Sequence, residues 1–276
     1  GMCTLINVSG HLMDLQSPRV MAIVNITPNS FYSHSCVEPS ALLSSVTKAV
    51  KQGADMVDIG ACSTRPGVQL ATEEQEWERL STALKIVRDA YPHLVISIDT
   101  WRANIAQWAI QEYAVDIIND VSGGVDPNMF DVVAKYQKPY VLMHSDHLPA
   151  TSHSTFGCDI VTEMIDYFQR KIDQLQQKGV KDIIVDPGFG FSKTISQNYQ
   201  VLNELGYLKV LNKPLLVGLS RKSMLSKVLE VEADDCLSGT IAANTLALQS
   251  GASILRVHDV LPAVEAVKIF KNTNRL

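Results

Sequence analysis

Eight short apolar runs recur along this chain, and each closes on a polar or charged residue. They close at Asn25 (RVMAIVN), Asp58 (ADMVDIG), Asp99 (LVISIDT), Asn119 (VDIIND), His144 (PYVLMH), Asp186 (DIIVDP), Ser220 (PLLVGLSRK) and His258 (SILRVHD). The runs are β-branched and nearly continuous in apolarity, the pattern of a parallel strand buried on both faces. A longer stretch with helical spacing follows each of them. Eight such alternations predict an α/β chain closed into a single (β/α)8 TIM barrel. All eight strand ends then meet on one rim, and that rim is where such barrels carry their active sites.

Size and composition agree with one domain. The chain has 276 residues, 46% of them hydrophobic, enough for the core of one barrel. No apolar run reaches membrane-spanning length, and no signal-peptide pattern opens the chain, so neither a membrane nor an export route is expected. The net charge of −5 argues against a nucleic-acid partner. Five widely spaced cysteines, odd in number and without a CxxC, fit a reduced cytoplasmic protein.

Residues 1–18 read as a short N-terminal β-hairpin over Cys3–Leu15, with its turn at Ser9-Gly10, placed to plug the closed end of the barrel. The barrel occupies 19–276. Strands are expected at 20–25, 55–59, 95–98, 115–119, 139–143, 182–185, 214–219 and 253–257. Helices are expected at 40–52, 72–90, 102–112, from Pro127, at 158–178, at 196–206, through 249 and at 260–271. Thr72-Glu-Glu-Gln75 opens the second helix with a capping-box pattern. The polar loops after the first two strands have the length of binding loops, although a solvated connection has the same composition.

Four groups of rim residues carry chemistry. Asp99, Asn119 and Asp186 supply carboxylates and an amide that can read the hydrogen-bonding edge of a purine- or pterin-like ring. Any one of them alone is as well explained by a helix cap or a turn. Ser220-Arg221-Lys222-Ser223 and Arg256-Val-His258 follow the last two strands, where barrels commonly bind phosphate. Arg256 and His258 share a strand face, whereas Arg221 reads as a solvated surface charge. Asn25, in Asn25-Ile-Thr27-Pro-Asn29, can offer an amide oxygen to a hard cation. Cys62-Ser63-Thr64-Arg65-Pro66-Gly67 is a small-residue loop that either touches a ligand or simply turns. His144, His147 and His153 lack the companion acids of a zinc site, so zinc is a weak reading. Lys222 at a strand end is compatible with a Schiff-base lysine, but no other carbonyl chemistry is visible.

The segments NITPNSF (25–31), GADMVDIGACSTRPG (53–67), SIDT (97–100), INDVSGG (118–124), LMH (142–144), DPGFGFSKT (186–194), GLSRKS (218–223) and RVHDV (256–260) occur in an order that resembles dihydropteroate synthases. These are the folate-pathway enzymes inhibited by sulfonamides. The likeness runs from about residue 19 to residue 270. SRKS is its most discriminating part, because pterin-dependent methyltransferases share the barrel and the early motifs but generally lack it. The resemblance implies that 6-hydroxymethyl-7,8-dihydropterin diphosphate and p-aminobenzoate condense to 7,8-dihydropteroate and diphosphate, with Mg²⁺. It implies that Asp99, Asn119 and Asp186 hold the pterin edge, that Met143 and Gly218 line its slot, and that Lys222 and Arg256 contact the ring. Asn25, Arg256 and His258 would hold the diphosphate, with Asn25 on the metal. Thr64, Arg65, Pro66, Phe191 and Ser223 would frame the aminobenzoate. Lys222, Arg256 and His258 would be the catalytic set, and a homodimer built on the last helices is implied as well.

The chain departs from the family in its loops. The usual NxTPDSFSDGG has Asn29 and Ser33 in place of its two Asp residues, and His34-Ser35 in place of its Gly pair. Ala61-Cys62 stands where Gly-Glu is common, and His147 where Gly is common. The alternatives are therefore a paralogue that binds pterin but condenses it weakly, or a pterin-dependent methyltransferase-like protein.

Overall fold

The computed structural model describes residues 4–27, 32–33, 36–62, 69–145 and 159–274. An antiparallel hairpin, β1 (Leu5–Val8) and β2 (His11–Asp14), leads into β3 (Arg19–Asn25). The small strands β4 (Tyr32–Ser33) and β5 (Cys36–Val37) pair with each other, outside the barrel sheet. The barrel continues with α1 (Pro39–Lys51), β6 (Met56–Gly60), α2 (Glu73–Ala90), β7 (Val95–Asp99), α3 (Ala103–Tyr113), β8 (Ile117–Asp120) and α4 (Met129–Tyr136). It is completed by β9 (Tyr140–Met143), α5 (Ile160–Gln177), β10 (Ile183–Asp186), α6 (Ile195–Asn203), β11 (Leu216–Val217), α7 (Ser223–Leu229), α8 (Leu237–Gln249), β12 (Ile254–Val257) and α9 (Val260–Thr273). A 3-10 segment, Leu205–Leu211, extends α6.

Eight parallel strands run in the order β10-β9-β8-β7-β6-β3-β12-β11, and a parallel bridge between Val185 and Leu215 joins the two outer strands. The expected (β/α)8 barrel is therefore present. The expected strand at 214–219 is shorter, because the chain leaves the ladder at Gly218 and turns, with the N–H of Lys222 on the Leu219 carbonyl at 3.2 Å.

Two apolar cores result. Outward strand residues pack against the buried helix faces, with Leu80, Leu84 and Phe168 among the fully covered side chains. Inside the barrel, Met21, Met56, Ile117, Val141, Ile184, Leu216 and Ile254 form a floor on which Ile6, Val8 and Leu15 of the hairpin sit. The hairpin thus plugs the bottom, as its sequence predicts. Polar clips hold it there, with Asn7 N–H on Asp182 at 2.9 Å and the Ser9 hydroxyl on Asp116. The Thr72–Gln75 capping box is also present, and a second one, Thr194–Gln197, opens α6.

Candidate active site

Strand alternation decides which side chains enter the barrel. One step of two residues above the apolar floor takes β6 from Met56 to Asp58, β8 from Ile117 to Asn119 and β10 from Ile184 to Asp186. The same step takes β9 from Val141 to Met143, β11 from Leu216 to Gly218 and β12 from Ile254 to Arg256. The interior therefore changes from hydrocarbon to charge within one pleat. Asp99, Asn119, Met143, Asp186, Phe191, Gly218, Lys222 and Arg256 line a single cavity there. Eight of the residues singled out by sequence thus come together.

The cavity's charges are coupled. Asp58 is fully buried and accepts from Ser97 Oγ at 2.7 Å, Asn119 Nδ2 at 3.0 Å and Arg256 Nε at 2.8 Å. Arg256 Nη2 lies 3.9 Å from Asp99. Burial, and then the nearby Asp58 charge, push the Asp99 carboxyl up to about 8, against the pull of Arg256. Burial also raises Asp186, while the Gly188 N–H at 2.9 Å and the cations of Lys222 and Arg256 pull it back. Burial works against the Arg256 charge, but Asp58 and Asp99 outweigh it. Asn119 Oδ1 is buried and has no hydrogen-bond partner among the described residues. Such an acceptor is costly unless a ligand fills it.

Lys222 stands on the cavity wall. Its ammonium donates to the Phe189 carbonyl at 2.8 Å and lies 4.7 Å from the Phe191 ring centroid. The loop after β10 that supplies these groups is shaped by Lys193. That buried ammonium donates to the carbonyls of Gly188 at 3.0 Å, Phe191 at 3.1 Å and His144 at 3.4 Å. Gly188 is required in this loop, because it has φ +70° and a Cβ there would lie 2.2 Å from the His144 carbonyl oxygen.

Arg221 is not the solvated charge its sequence suggests. It pairs with Asp259 at 2.9 and 3.3 Å and with Asp234 at 3.4 Å, tying the turn after β11 to the end of β12. His258 is open to solvent on one side and meets Ser220 Oγ through Nδ1 at 2.8 Å. Partial burial and the cations of Arg221 and Arg256 push its imidazole down to about 4, so it is neutral at pH 7 and acts as a hydrogen-bonding group. Asn25 ends β3, and its Oδ1 accepts the Thr27 N–H at 3.1 Å with a second lone pair left over. Ser223 opens α7 with an exposed side chain. Thr64, Arg65 and Pro66 lie outside the described residues, as do Asn29, His34, His147 and His153.

His144 faces away from the cavity. Its ring packs 5.0 Å from Tyr167 and 6.1 Å from Phe168, and burial pushes its pKa down to about 2. No three metal-binding side chains of the His, Cys, Asp or Glu type gather among the described residues. Asp58 and Lys193 are the groups that sequence reasoning passed over. Alternation with Met56 was the available signal for Asp58, while Lys193 had none beyond its place in DPGFGFSKT. At the divergent Ala61-Cys62, both side chains are buried, and burial followed by the Glu76 charge raises the Cys62 thiol.

Comparison with known proteins agrees with this geometry. The pterin binding enzyme family matches residues 21–258. Dihydropteroate synthase of Haemophilus influenzae is 33% identical over 265 residues, which are 95% of this chain and 96% of that protein. The Escherichia coli K12 enzyme is 34% identical over 270 residues, 96% of this chain and 94% of that protein. The chain spans only 36% of the longer folic acid synthesis protein fol1 of Pneumocystis carinii, at 35% identity over 93% of this chain. Among solved structures, Yersinia pestis dihydropteroate synthase in a sulfonamide drug complex superposes with a TM-score of 0.90 at 33% identity, covering 98% of this chain and 99% of that one. Xanthomonas albilineans dihydropteroate synthase with 4-aminobenzoic acid gives 0.90 at 32% identity, covering 99% of both chains. The chain belongs to the dihydropteroate synthase family of pterin-binding barrels.

Proposed function

We propose that this chain condenses 6-hydroxymethyl-7,8-dihydropterin diphosphate with p-aminobenzoate, giving 7,8-dihydropteroate and diphosphate. The observation that carries this is the buried Oδ1 of Asn119, without a partner among the described residues, between Asp99 and Asp186 in a cavity whose other wall is Lys222 and Arg256. Three acceptors converging at the bottom of a slot suit the donor-rich edge of a pterin. Two cations above them suit an electron-rich ring and an anionic leaving group. The amine lone pair attacks the exocyclic methylene, the methylene–oxygen bond breaks, and diphosphate leaves with the electron pair. The aromatic amine is unprotonated at neutral pH, so its proton passes to solvent afterwards and no strong base is needed. Arg256 as a cation and His258 as a neutral donor meet the charge that grows on the leaving oxygens.

Mg²⁺ fits as a companion of the diphosphate rather than as a resident ion. Asn25 offers one neutral oxygen, and Mg²⁺ is commonly held by few protein oxygens plus substrate phosphates and water. When bound, it would neutralise charge on the leaving group. Phe191 and Ser223, with Thr64, Arg65 and Pro66, frame the aminobenzoate in this reading, and sulfonamides would compete there. The chain works as a homodimer in the cytoplasm. α8 has apolar residues on its exposed as well as its buried face, with Leu237 and Leu246 exposed, as are Val228 and Leu229 of α7. Such a face suits a second copy. No helix among the described residues is long and apolar enough to cross a membrane.

The test is condensation by purified protein with both substrates and Mg²⁺. Dihydropteroate and diphosphate should form in equal amounts. Pterin binding with little or no dihydropteroate would favour the weakly condensing paralogue, which the altered loops motivate. Binding of methyltetrahydrofolate, unaffected by Lys222→Ala, would favour a methyltransferase.

A further inference from the structure

Asp58 lies beneath the cavity, fully buried, and is not among the residues lining it. Its two oxygens nevertheless reach three other strands. Oδ1 accepts from Ser97 on β7, while Oδ2 accepts from Asn119 on β8 and from Arg256 on β12. An ionised carboxylate only accepts hydrogen bonds. Asn119 must therefore present its NH₂ to Asp58. The flipped amide would set two acceptors about 3 Å apart with no proton between them, at the cost of an unsatisfied buried group. With the NH₂ committed, the carbonyl oxygen of Asn119 is the atom left for the cavity, and it is the atom found without a partner among the described residues.

We propose that Asp58 is a positioning residue that sets the hydrogen-bond polarity of the ring-reading edge. By accepting from Asn119 and Arg256 together, it fixes Asn119 as an acceptor, so the cavity selects heterocycles that present an N–H donor there. This rests on the pterin reading above and adds its specificity element. A 2-amino-4-oxopteridine offers that donor. The matching 2,4-dioxo ring offers an oxygen instead and meets acceptor with acceptor.

The test compares the Kd of 6-hydroxymethylpterin with that of 6-hydroxymethyllumazine, its 2-oxo counterpart, in the full chain. The wild type should prefer the pterin by about a hundredfold or more, the range a site built around a ligand donor reaches. Asp58→Ala frees the Asn119 amide to turn, and the preference should fall below about tenfold. Asp58→Asn keeps an oxygen for Arg256, an obligate donor, and hence for Asn119 beside it. Affinity should fall in this variant while the preference survives. A purely structural role would weaken both rings equally, so a wild-type ratio in folded Asp58→Ala overturns the proposal. Loss of the ratio in Asp58→Asn overturns it too. Neutron diffraction from the deuterated wild type reads the amide directly, whether or not the alanine variant folds. Deuterons of Asn119 toward Asp58 are expected, and deuterons toward the cavity would overturn the assignment. A wild type that binds neither ring would refute the pterin reading itself, which is a different result.

Discussion

Ser192 lies in the loop that presents Phe189 and Phe191 to the cavity. It has φ 56°, is fully buried, and its hydroxyl has no partner among the described residues. A side chain in the left-handed region is strained, and an unpaired buried hydroxyl adds to the cost. Ser192→Gly should therefore raise the unfolding free energy by about 1 kcal/mol in a denaturant titration. A loss of stability would show that the hydroxyl contributes something its surroundings do not reveal. His144 makes a second residue-scale prediction. Its imidazole titrates near 6.5 when unfolded, but burial holds it at about 2 in the fold. Its contribution is intact above pH 6.5 and is lost as pH falls, by about 1.4 kcal/mol per pH unit. His258 adds a similar acid loss, whereas the raised carboxyls of Asp99, Asp120 and Asp186 act in the opposite sense. The difference between wild type and His144→Asn isolates this group. The stability of the variant should fall less steeply between about pH 6.5 and pH 4.5. At this scale Asp99, Asn119 and Asp186 were legible because each follows an apolar run directly. The roles of Asp58 and Arg221 were not, because their partners come from strands and loops far away in sequence.

At the scale of elements, the strand–helix alternation was legible almost throughout, since apolar runs and capping boxes are local signals. β11 was the exception. Leu219 continues the apolar pattern of PLLVGL, yet the backbone has already turned away to place Lys222 on the cavity wall. Hydropathy reports burial and does not report whether a ladder continues. The hairpin gives the element-scale prediction. Ile6 is 1% exposed and seals a floor contributed by seven barrel strands. Ile6→Ala should cost about 2–4 kcal/mol, measured by thermal or denaturant unfolding. Because the floor lies directly under Asp58, Asn119 and Asp186, pterin affinity should weaken along with stability. A cost below about 0.5 kcal/mol would mean that the plug is dispensable.

The whole molecule separates two tasks. The closed end is hydrocarbon stapled by a hairpin, and the open end is a network of five ionisable side chains, Asp58, Asp99, Asp186, Lys222 and Arg256. The outer faces of α7 and α8 expose Val228, Leu229, Leu237 and Leu246, the last at 58%. Leu246→Glu should convert a dimer to a monomer in sedimentation equilibrium with little change in monomer stability, because that side chain is already open to water. A wild type that sediments as a monomer would remove the dimer from the account. The central claim is that the polar ring above the barrel floor reads a pterin. A crystal structure with 6-hydroxymethylpterin diphosphate bound tests it most directly. The ring should lie in the cavity with its donor edge on Asn119 Oδ1 and Asp186, and its diphosphate should reach toward Asn25 and His258. A ring bound elsewhere, or one turned with its diphosphate toward Asp186, would contradict the account.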